Sequence, residues 1–106
     1  MGTAFNNPSR AQNLQRKHQE IVAALSEENA RLLFARQRAS GVEIEVLTAE
    51  RDMAETPGSK DAESTLADLY EQERLTKLDL RAAEQRIEDL EQRMTAIVSE
   101  IADLKE

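Results

Sequence analysis

Apolar residues recur at a seven-residue spacing along almost the whole chain, and a single Pro-Gly pair interrupts them. Such a repeat lays an apolar stripe along one side of an α-helix, and the stripe must be covered by another helix. In the first half, one seam position takes Leu14, Ile21, Glu28, Ala35, Val42 and Ala49, and its partner takes His18, Leu25, Leu32, Ala39, Val46 and Met53. Only His18 and Glu28 are polar, and several of the others are small. In the second half the positions are Leu66, Glu73, Leu80, Ile87, Met94 and Ile101, with Leu69, Thr76, Ala83, Leu90, Ile97 and Leu104. From Ile87 to Leu104 no polar residue interrupts the seam; Glu73 and Thr76 are its defects and sit together.

Asn7-Pro8 reads as a helix start, because Asn caps and Pro fills a first position that needs no N–H. Residues 1–7 are then irregular and helix one spans 8–54. Pro57-Gly58 sets a turn over 55–61, with Ser59 or Asp61 available to cap the second helix. Helix two spans 62–105 and contains neither Gly nor Pro. Gly41 is a weak point in helix one. The alternation Val42-Glu-Ile44-Glu-Val46 has the period of a strand, but its flanks are helical and a lone strand has no partner. Helix is the favoured reading there, and strand stays open.

Two helices of similar length joined by a short turn make an antiparallel helical hairpin, an all-α, coiled-coil-like fold. With the turn at Pro57-Gly58, Leu14 falls near Leu104, Ile21 near Ile97 and Leu25 near Met94. Charge agrees at that end: residues 1–38 carry six basic and three acidic residues, and 80–106 carry four and seven. At the turn end it disagrees. Residues 39–55 carry one basic and five acidic residues and 61–79 carry two and six, so both sides are acidic and repel. That end is expected to fray, take a cation or a basic partner, or stay apart in another assembly. The alternative architecture is one long bent helix in a parallel dimer, a piece of a longer coiled-coil or filament protein, which the unbroken C-terminal seam and the ending Leu104-Lys-Glu would suit.

The apolar residues exceed what one seam uses. Leu33, Phe34, Ile44 and Leu47 lie off it in helix one, as do Leu75, Leu78, Ala82 and Val98 in helix two. A face this wide calls for a third or fourth helix, most simply a second hairpin completing a four-helix bundle. Leu33, Phe34, Ile44 and Leu47 also form a candidate docking patch for a different protein.

Chemistry has little to work with. The 106 residues include no Cys, no Trp and one His, which excludes disulfide frameworks, Cys/His zinc sites and thiol catalysis. His18 has no carboxylate four residues before or after it, Glu-x-x-His pairs are missing, and neither a calcium loop nor a Gly-rich phosphate loop is present. No catalytic, cofactor or metal residue is assigned, and neither an enzyme nor a small-molecule substrate is expected. Arg10, Arg16, Lys17, Arg31, Arg36 and Arg38 make the first third basic, which keeps a small regulatory nucleic-acid binder as an alternative. The net charge of −7 and the lack of stacking aromatics argue against it. No apolar run is long enough to span a membrane, and the start has no secretory pattern. With no Cys, the expectation is the cytoplasm or another reducing compartment. The expected role is non-catalytic: a coiled-coil protein that associates with itself and acts as a scaffold, adaptor or assembly chaperone for another protein.

Overall fold

In the computed structural model the chain forms two helices, α1 over Gly2–Glu55 and α2 over Lys60–Lys105, packed as an antiparallel hairpin. The structure describes residues 2–105, with side chains from Ser9 to Leu104, and 96% of it is helical. Val42–Val46 lies inside α1, so the strand alternative is not adopted, and the continuous rod is replaced by a reversal of the chain. Helix α1 starts at Gly2 rather than at Pro8. Asn7-Pro8 therefore lies inside the helix, beyond the first turn where proline is ordinarily accommodated.

The turn is shorter than the sequence marks, because Lys60 and Asp61 already belong to α2. Thr56 N–H reaches the Asp52 carbonyl at 2.9 Å, and Ser59 N–H reaches the Thr56 carbonyl at 3.3 Å. Gly58 takes φ +87°, a left-handed conformation that glycine adopts without a Cβ clash. Ser59 then caps α2: its Oγ accepts the Ala62 N–H at 3.2 Å while its carbonyl accepts the Glu63 N–H at 3.1 Å. Asp61 and Glu63 place negative charge where the helix dipole favours it. The end of α1 has the opposite arrangement, with Asp52 and Glu55 and no basic residue in its last turn.

Packing divides into two units, Met1–Ala30 with Gln85–Glu106 and Arg31–Glu84. In the first, Leu14 is buried, Ile21 and Ile97 line one cleft, and Ala11 lines another with Ile101 and Leu104. In the second, Val46, Ala49, Thr76 and Ala83 are buried, and Ala49 shares a cleft with Leu69. Covered positions follow the seven-residue spacing. Among the described residues every buried or half-buried one lies on it, or on its extension to Ala11, Ser59 and Ala62, with Ala24 the exception. The best covered side chain is Ala83, 1% exposed, and among the described residues no large side chain is fully buried, Leu14 keeping 5% of its surface. Two helices enclose an alanine at their line of contact but leave one flank of a leucine or isoleucine in water.

Candidate functional site

In the unit Arg31–Glu84, the heptad places Leu33, Phe34, Ile44 and Leu47 between seam residues, on the side of α1 turned away from α2. Their exposures are 57%, 69%, 64% and 61%, the highest among the exposed large apolar side chains. They sit on a regular track: Leu33, Gln37, Ser40, Ile44 and Leu47 follow one another at helical spacings of four and three, and Phe34 and Gly41 border it. This is a second stripe on the same helix, opposite the seam that α2 covers. Its large apolar side chains form two clusters, Leu33 with Phe34 and Ile44 with Leu47, with Gln37, Ser40 and Gly41 between them, and exposed apolar groups of this kind mark interaction surfaces. Helix α2 carries a lesser counterpart in Leu75 and Leu78, at 46% and 48%.

Charge around the stripe is divided. Arg36 and Arg38 flank its N-terminal half, and Glu43 and Glu45 flank its C-terminal half. Arg36 and Glu43 are seven residues apart, as are Arg38 and Glu45, about 10 Å along the axis and too far to pair within the helix. Among the described residues none of the four has an ion-pair partner in the hairpin.

Nearer the turn, Tyr70 Oη donates to Glu50 Oε2 at 3.2 Å, linking α2 to α1. Loss of water on its packed side, and then the Glu50 carboxylate, raise the Tyr70 phenol above its ordinary value. Glu71 is held below the usual carboxylate range by hydrogen bonds from Arg74, one of them from Nε at 3.1 Å, and the Arg74 guanidinium is raised in return. Thr76, a polar seam residue, is buried with its hydroxyl donating to the Glu73 carbonyl at 3.0 Å.

In the unit formed by the two chain ends, Glu28 is 8% exposed and accepts a 2.8 Å hydrogen bond from Arg86 Nε. The seam residues Ile21, Leu25, Ile87, Leu90, Met94, Ile97 and Ile101 are half-buried, while Leu104 is 38% exposed. In the other unit Leu32, Leu66, Leu69 and Leu80 are half-buried. His18 is half-buried on the seam. Arg16, from the basic third, is held by Asn13 at 3.2 Å and Glu20 at 3.9 Å. Among the described residues no three His, Asp or Glu side chains are grouped to hold a metal ion, and no helix is long and apolar enough to cross a membrane.

The Glu28–Arg86 and Tyr70–Glu50 contacts are not readable from the sequence. Counting outward from between Gly58 and Ser59 places Asp89 opposite Glu28 and Ala67 opposite Glu50, and each observed partner lies about one helical turn away. A long side chain reaches that far, so position alone does not name the pair. Comparison with protein-family models, with curated proteins and with solved structures found no match.

Proposed function

We propose that this chain is a non-catalytic coiled-coil protein that associates with itself and serves as a scaffold, adaptor or assembly chaperone for other proteins. The observation that carries this reading is the apolar track of Leu33, Phe34, Ile44 and Leu47, left at more than half exposure on a helix whose opposite side is already paired. A hairpin with so thin a core gains by covering that track, and a second hairpin doing so yields a four-helix bundle. The surfaces remaining after such a pairing, acidic around the turn, are what a further protein would meet.

Thermal unfolding followed by circular dichroism over a hundredfold range of chain concentration tests this. A chain that binds itself melts at a temperature that rises with concentration, by mass action. A melting temperature independent of concentration contradicts the reading.

A further inference from the structure

The exposed track on α1 is complementary to itself. Its midpoint falls between Ser40 and Gly41. A second copy laid antiparallel on it, with the two-fold axis through that midpoint, sets Leu33 over Thr48, Phe34 over Leu47, Gln37 over Ile44 and Ser40 over Gly41. The same operation brings Arg36 and Arg38 of one copy over Glu43 and Glu45 of the other, so charges unpaired within a chain find opposite charges between chains. A parallel pairing would put arginine on arginine and glutamate on glutamate. We propose that this face of α1, centred on Ser40-Gly41, is an isologous interface between two copies of this chain, a proposal that rests on the self-association argued above and assigns it a face, an orientation and a register.

Gly41 supports the choice. A Cβ built on it meets nothing within 4 Å, so no contact within the hairpin requires the glycine. Elsewhere on a helix a glycine is a loss. At the crossing point of two helices, a small residue lets the axes approach to about 8 Å, the close end of the usual range. An isologous pair also makes every contact twice, which suits a track only a few residues long.

Three changes test the face, each read by sedimentation equilibrium alongside the melting of the hairpin. The chain has no cysteine, so Ser40→Cys forms a disulfide only between copies. It is expected to cross-link readily in mild oxidant, whereas Leu78→Cys, on the outer side of α2, and Ser99→Cys are not. Gly41→Leu favours the helix and fills open space in the hairpin, so the chain should stay folded while the dimer weakens at least about tenfold. Finally, a chain with Arg36→Glu and Arg38→Glu, and a second with Glu43→Arg and Glu45→Arg, should each be monomeric alone and form a one-to-one complex when mixed.

Dimers that persist in Gly41→Leu and cross-link through Leu78→Cys instead of Ser40→Cys would overturn this face while leaving self-association standing. Cross-linking at Ser40→Cys with each charge variant still dimeric on its own would overturn the antiparallel register, because a parallel pair already sets like charges together. A parent chain that stays monomeric at every concentration would overturn both this proposal and the reading it rests on.

Discussion

Arg86 donates from Nε to Glu28 Oε2 at 2.8 Å, and this contact joins the two helices at a seam position where an apolar residue would ordinarily sit. Glu28 is 8% exposed, whereas the Arg86 side chain keeps 48% of its surface in water. The two ends of the pair therefore respond differently to removal. Arg86→Ala withdraws a charged donor from a buried carboxylate and is expected to cost about 1–2 kcal/mol in urea unfolding. Glu28→Leu leaves Arg86 with access to solvent, and it adds apolar surface to the seam. It is expected to leave stability unchanged or raise it by about 1 kcal/mol. A large loss in Glu28→Leu would show that the carboxylate holds more of the structure than this contact.

Ala83 is the most deeply covered of the described side chains, at 1% exposure. Ala83→Leu has no room without moving a helix and is expected to lower stability by about 1–3 kcal/mol, read as a shift of the urea midpoint. Leu80, half-buried one turn earlier, should tolerate Met at under about 1.5 kcal/mol.

Gly41 and Gly58 should answer to alanine with opposite signs. Gly41 is helical with open space where a Cβ would go, so Gly41→Ala is expected to stabilise the hairpin by about 0.5–1 kcal/mol. Gly58 also has open space but takes φ +87°, so Gly58→Ala is expected to cost about 1–2 kcal/mol. Thermal melts of both variants, at a chain concentration low enough for the parent to be monomeric, provide the check.

Tyr70 is the only tyrosine, and with no tryptophan present its ionisation is read directly from ultraviolet absorbance. Its phenol is raised by lost hydration and by Glu50. A raised value means that the folded state favours the protonated phenol. That contribution is fully present below the ordinary tyrosine value of about 10 and is lost as pH rises through the higher folded value. Denaturant should bring the titration down to the ordinary range, and Glu50→Gln should bring it part of the way. A titration identical in the folded and unfolded chain would contradict the Tyr70–Glu50 contact.

The hairpin is legible in the sequence because its strongest signals are local. Pro57-Gly58 cannot continue a helix, and the flanking sequence has one spacing on both sides. The Val42–Val46 alternation misleads when read alone, since it pairs Ile44 with the seam residues Val42 and Val46. The helix instead turns Ile44 outward to 64% exposure and keeps Val46 at 4%. The beginning of α1 is not legible, because a cap residue marks where a helix is permitted to start. Nor are Glu28–Arg86 and Tyr70–Glu50, which depend on how far flexible side chains reach along a partner helix. The exposed track of Leu33, Phe34, Ile44 and Leu47 is visible as an excess of apolar residues. Its symmetry about Ser40-Gly41 becomes meaningful only because α2 occupies the other side of α1.

Sedimentation equilibrium of the unaltered chain, over micromolar to near-millimolar concentration at moderate salt, addresses the central claim most directly. Self-association through an exposed helix face predicts a mass that rises from the 11.9 kDa of one chain towards twice that value and levels off there. A mass that stays at 11.9 kDa throughout would contradict it, and the apolar track on α1 would then need an occupant other than this chain.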